Sequence, residues 1–230
     1  MKQFFFIAAL LVLILTSCSE TKYVAEGDYL LDKVQIKSDA PVRGLTTTEM
    51  RDYIRQTGNS RWFSAAKIPL YTYSLSGRDT TRWINRMLRS IGEAPVLYDS
   101  LQTQQSINSL QAQIQNMGYL RATVDAVNTT KGRKLRTTYQ VHPGPIYSLR
   151  HVDYDIQDTI IAQILEVDKP ENRGLHRGMT FSIETLDAER KRITQLLTNT
   201  GYYRFNKDFI TYRADSVPGT TGIDLTVVLH

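Results

Sequence analysis

Residues able to do chemistry are few in this 230-residue chain. Its one cysteine, Cys18, lies just past an unbroken apolar run of 12 residues, 4–15. A membrane-spanning helix needs ~20 apolar residues, so the run is too short to span. One lysine, a short apolar stretch and then small residues make the pattern of an export signal. The thiol is a nucleophile placed where a membrane surface would lie. A lone cysteine excludes an intramolecular disulfide, a four-cysteine zinc site and an iron–sulfur cluster. A second constellation is basic. On a helix begun by Asp79-Thr80-Thr81 and ended by Gly92, Arg78, Arg82, Arg86 and Arg89 fall within roughly 80° of arc. Trp83, Ile84, Met87, Leu88 and Ile91 fall on the other side. This pattern fits a core-packed helix with a solvated basic face. A second reading is a surface that meets anionic headgroups or an acidic partner.

Signals for catalysis are poor. His142, His151, His176 and His230 are far apart, with no His-Glu-x-x-His pair. No Gly-x-Ser-x-Gly elbow occurs. Asp153, Asp155 and Asp158 lack the glycine and terminal glutamate of an EF-hand. The first two alternate with Val152, Tyr154 and Ile156 as the wet face of a strand. The expectation is no enzyme, no cofactor and no metal. The net charge of +5 is local. Residues 55–92 carry seven Lys+Arg and one acid. With 41% apolar residues the chain has enough for a packed core.

The elements that position these residues occur twice. Asn116-Met117-Gly118-Tyr119-Leu120-Arg121 recurs 83 residues on as Asn199-Thr200-Gly201-Tyr202-Tyr203-Arg204. Each copy ends an amphipathic helix, one from Ser100 with Ile107, Leu110, Ile114 and Met117, the other from Ser182 with Leu186, Ile193 and Leu197. Gly118 and Gly201 suit the left-handed residue that stops a helix. Two strands follow each, near 119–128 and 135–141, then 203–213 and 222–229. An opening strand and a first helix precede each, with the helices near 47–56 and 158–167. The expected fold is α+β: two tandem β-α-α-β-β repeats, 29–142 with a helical insertion at 57–99, and 145–230. Pro143-Gly144-Pro145 separates them. A signal segment, 1–17, and a polar linker, 18–28, precede them.

Leu15-Thr16-Ser17-Cys18 resembles the lipobox of bacterial lipoproteins, which implies cleavage before Cys18, lipidation of its thiol and export, and so excludes nucleic acid as a partner. The repeat resembles the POTRA (polypeptide-transport-associated) domain, through the helix-Gly-Tyr-strand landmark and the Pro-Gly-Pro-Ile-Tyr entry. With the stretch from Asn59 to Ser74, the chain resembles the lipoprotein-tethered TamA-like branch of the BamA/TamA superfamily. That resemblance implies a periplasmic region of an outer-membrane lipoprotein that acts in outer-membrane protein assembly or export. Its partners would be unfolded outer-membrane proteins or a periplasm-spanning assembly protein. It also implies a third repeat and a β-barrel, of which these residues contain no run of strands. Strand edges near Val124 and Asp125 and near Ile210 and Thr211 are the expected docking sites. A barrel-less envelope adaptor and a lipid-anchored enzyme stand as alternatives.

Overall fold

The computed structural model describes residues 20–62, 67–167 and 174–230. In chain order the elements are β1 (Leu30–Ser38), α1 (Ile68–Leu75), α2 (Trp83–Ile91), α3 (Ser100–Asn116), β2 (Thr123–Lys131), β3 (Lys134–His142), β4 (Ser148–Ile156), α4 (Thr159–Val167), α5 (Ile183–Asn199), β5 (Ile210–Ser216) and β6 (Gly222–Leu229). Short 3₁₀ turns lie at Glu49–Tyr53 and Lys207–Phe209. The architecture is α+β. Two three-stranded sheets share one strand order, β1-β3-β2 and β4-β6-β5. No barrel is present among the described residues. The chain divides into two compact units. Among the described residues, one takes those up to Lys37 with those of Thr47–Asn108 and Val124–Gln140; the other takes those of Ser38–Thr46, Ser109–Thr123 and Val141–His230.

The second sheet follows from pattern and connection length. Along β6, Ile223, Leu225, Val227 and Leu229 are buried and alternate with half-buried residues. A strand with one face in the core reads this way. β6 runs parallel to β4, from Ser148↔Gly222 to Ile156↔Leu229. The two intervening helices supply the long crossover that a parallel pair requires. β5 is antiparallel to β6, from Ile210↔Leu229 to Ser216↔Ile223, with Gly219 at φ 77° in the turn. Ser182 caps α5 by accepting from the Thr185 N–H at 3.2 Å. Ile193 and Leu197 of α5 join Leu149, Leu165, Ile210, Leu225 and Val227 in one core. Each such side chain contributes about 1.5–3 kcal/mol on burial. Glu189 of α5 is wholly buried, and its carboxylate is satisfied. It accepts from Tyr154 Oη at 2.7 Å, Gly174 N at 2.9 Å and Arg192 Nε at 2.8 Å.

The first sheet repeats the logic. Leu135, Thr137, Tyr139 and Val141 of β3 are buried in alternation. Leu30 N–H donates to Arg133 O at 2.8 Å where β1 begins. Gly132, at φ 59°, turns β2 into β3. Helix α3 is capped one residue earlier than expected. The Asp99 carboxylate, not Ser100, accepts from the N–H groups of Leu101 at 2.8 Å and Gln102 at 3.2 Å. The Gln102 and Leu101 hydrogen bonds hold the Asp99 carboxyl below its ordinary value. Leu110 and Ile114 are buried as expected. Gly118 then takes φ 99°. A Cβ there would lie 2.7 Å from Thr180 Cγ2 and 2.9 Å from Phe181 O, so both conformation and space demand glycine.

Three expected elements differ. The helix expected over 47–56 is only the turn Glu49–Tyr53. Ile54 is extended, and the next amide, Arg55 N, turns to Ser106 Oγ at 2.9 Å instead of continuing a helical ladder. The strands expected from 119 and 203 begin at Thr123 and Ile210, because turns follow each Gly-Tyr pair before pairing starts.

Candidate docking edges and a clamped N-terminal segment

β2 and β5 each end the strand order of their sheets. An end strand presents one row of N–H and C=O groups away from its sheet partner. Most of β2 beyond Val124 and of β5 beyond Ile210 is exposed. Val124 and Ile210 point into the protein and are buried. Asp125 and Thr211, one residue on, are exposed, as the two-residue period of a strand requires. The side chains available to a partner are therefore Asp125 and Thr211, and Val124 and Ile210 anchor the strands. Asn128 ties β2 inward, donating to Tyr98 Oη at 2.8 Å and accepting from Thr137 Oγ1 at 2.8 Å.

The insertion holds a second site that the spacing of its residues did not reveal. Lys67, next to the start of α1, is buried, with 4% of its side chain exposed. Its ammonium lies 2.5 Å from Asp32 Oδ1 and 3.5 Å from Glu20 Oε2. Tyr71 of α1 donates to Glu20 Oε1 at 2.7 Å, and Lys134 Nζ lies 3.0 Å from Glu20 Oε2. Burial raises the Glu20 carboxyl, but the hydrogen bonds of Tyr71 and Lys134 and the charge of Lys67 outweigh it and hold it below its ordinary value. Asp32 is lowered too, with burial again overcome by the hydrogen bond and charge of Lys67. Its bond to Glu20 pushes the Tyr71 hydroxyl up to about 12.

Residues 20–28, expected as a linker, are thus bound to the fold. Lys22 Nζ donates to Ser74 O and Ser76 O, each at 3.0 Å. Tyr23 donates to Ser76 O and stacks edge-on against Tyr73, centroids 5.5 Å apart. Val24 is buried with Leu30 and Leu70. Arg133 Nη1 donates to Val24 O at 3.1 Å. The partners of this segment lie about 50 to 110 residues away in the chain, so no local pattern announces them. Cys18 lies outside the described residues.

The helix expected from Asp79 begins only at Trp83, with Arg82 extended at its N-cap, so α2 carries Arg86 and Arg89 while Arg78 and Arg82 precede it. Arg78, Arg82 and Arg86 are exposed, with Arg82 Nε 3.4 Å from Asp79 Oδ2. Arg89 is half-buried. It stacks over Tyr23 and Tyr73 at 5.5 and 5.6 Å and donates to Ser76 Oγ and Gly77 O. The inward residue beside it is Asn85, which accepts from Gly77 N at 2.8 Å and donates to Asp79 O at 2.7 Å. Where α2 ends against α1, a Cβ on Gly92 would lie 2.5 Å from Tyr73 N. The apolar side of α2, expected in the core, points outward instead. Trp83 is 68% exposed, Ile91 66%, Ile84 46% and Met87 42%. Helical periodicity sorts residues into faces but does not say which face meets the protein. Here a tyrosine pair and two turn carbonyls take the Asn85–Arg89 side.

Of the histidines, His142 pairs with Asp39, His151 lies 3.2 Å from Asp153, and His230 Nε2 lies 3.1 Å from Thr211 Oγ1. Among the described residues no three His, Cys, Asp or Glu side chains gather as metal ligands.

No family model matches the chain, and no curated protein matches it. Solved structures do resemble it. One is POTRA domains 3–5 of BamA from Haemophilus influenzae, at 14% identity over 91% of this chain and 69% of that one, with a TM-score of 0.42. Another is BamA from Haemophilus ducreyi lacking POTRA domains 1–3, at 12% identity over 87% of this chain and 29% of that one, TM-score 0.42. A third is POTRA domains 1–2 of the periplasmic domain of Omp85 from Anabaena, at 14% identity over 87% and 94%, TM-score 0.36.

Proposed function

We propose that this chain is a POTRA-type region of an outer-membrane lipoprotein. Its two repeats, 29–142 and 145–230, dock extended segments of unfolded outer-membrane proteins, or of a periplasm-spanning assembly partner, along strand edges. The chain is held at the membrane by lipid on Cys18, with its folded repeats in the periplasm. It acts by binding and carries no catalytic step. The observation that carries the reading is the repeated sheet, in which β1-β3-β2 and β4-β6-β5 each leave the strand after the helix-Gly-Tyr landmark at an edge. Main-chain hydrogen bonds along such an edge supply affinity that tolerates many client sequences. The sequence from Leu15 to Cys18 supports the anchor.

Photo-cross-linking residues placed at Asp125 and Thr211 test the docking. The expected result is adducts with unfolded barrel proteins in extended conformation, at both positions. Adducts confined to loop tips such as 131–133 and 217–220, with none at the two edge positions, would contradict it. Acylation of Cys18, read as the mass of the N-terminal peptide, tests the anchor separately.

A further inference from the structure

We infer that α2 is an interfacial helix that seats the first compact unit on a phospholipid surface, its exposed Trp83, Ile84, Met87 and Ile91 entering the headgroup region. Four large apolar side chains on one nine-residue helix make a contiguous exposed stripe. Such a patch marks a protein or lipid contact. Three features select lipid. Arg86 on the helix beside this stripe, Arg82 at its N-cap and Arg78 in the loop before it are exposed, where they meet anionic headgroups while the apolar side chains enter below them. Trp83 begins the helix, and tryptophan favours the membrane–water boundary. The third feature is where the chain leads. Glu20 is fixed to α1 through Tyr71 and Lys67, and α2 closes on the same helix through Arg89, Tyr23 and Tyr73. In the sequence Cys18 is only two residues before Glu20, a length of backbone that spans at most about 7 Å. This third feature rests on the lipid anchor proposed above; the exposed stripe and its arginines do not. The clamp at Glu20, Lys22 and Tyr23 then has a purpose. It removes the slack between anchor and fold, so that the anchor presents α2 to the bilayer in one orientation.

The test uses the full chain in vesicles of phosphatidylethanolamine and phosphatidylglycerol whose acyl chains carry bromine. Trp62→Phe leaves Trp83 as the single tryptophan of the two in the chain. The expected result is blue-shifted Trp83 emission that the brominated lipid quenches and that aqueous acrylamide does not. In a variant that also carries Ile84→Asp and Met87→Asp, the lipid quenching should be lost. Both positions are exposed, and an unchanged circular dichroism spectrum confirms that the fold is kept. Red emission quenched by acrylamide and untouched by brominated lipid overturns the inference. So does shielding of Trp83 that requires an added protein. The mass of the N-terminal peptide separates the two ideas. An acylated chain with Trp83 in water overturns the seating and leaves the anchor standing. Quenching by lipid in a chain with an unmodified Cys18 upholds the seating and overturns the anchor.

Discussion

Lys67 keeps its ammonium out of water because Asp32 and Glu20 stand on either side of it. Removing one member of a buried ion pair is costlier than the pair is beneficial, because the other charge is left desolvated. Lys67→Met should therefore destabilise the first compact unit by about 2–3 kcal/mol, less than a fully buried pair would lose because Asp32 is partly solvated. Urea unfolding monitored by Tyr and Trp fluorescence measures this. A loss below about 0.5 kcal/mol, the size of a surface substitution, would contradict it. Nothing in the sequence around Lys67 announces this role, since its partners lie 35 and 47 residues away. Gly118 is the opposite case. A glycine ending an apolar stripe is a local signal, and the left-handed φ of 99° follows from it. Ser100 is a local signal too, but it is the Asp99 carboxylate beside it that accepts the first amides of α3.

At the scale of elements, the clamped N-terminal segment should respond to acid. Glu20 and Asp32 have carboxyl groups lowered from 4.5 and 3.8. Groups with depressed values stabilise the fold above their ordinary values, and the contribution is lost as pH falls through the lower folded values. Amide exchange of residues 22–28, corrected for its intrinsic pH dependence, should stay slow at neutral pH and speed up as pH falls below about 4.5. Exchange should be fast at every pH in a Glu20→Gln/Asp32→Asn variant; equal protection at pH 3 and pH 7 in the parent chain would contradict this. The faces of α2 were legible as two arcs, and their orientation was not. That depends on Tyr23 and Tyr73, which come from elsewhere in the chain and accept Arg89. The strands were more legible, because β6 and β3 each bury one face and so display the two-residue period.

For the whole molecule, a repeated β–helix–β–β unit can be read from sequence because the Gly-Tyr landmark and the helix before it are built from neighbouring residues. Strand order cannot be read so directly. It is β1-β3-β2 and again β4-β6-β5, fixed in the second sheet by crossover helices that make β4 and β6 parallel neighbours and by a turn that pairs β5 with β6. That order puts β2 and β5 at edges, and the proposed function rests on those edges. Hydrogen exchange on the chain with and without a small unfolded outer-membrane barrel protein is the most direct measurement. Strand addition requires new main-chain hydrogen bonds, so backbone amides of residues 125–131 and 211–216 should gain protection when the client is present. If protection appears elsewhere and these two strands exchange unchanged, docking along the sheet edges is wrong.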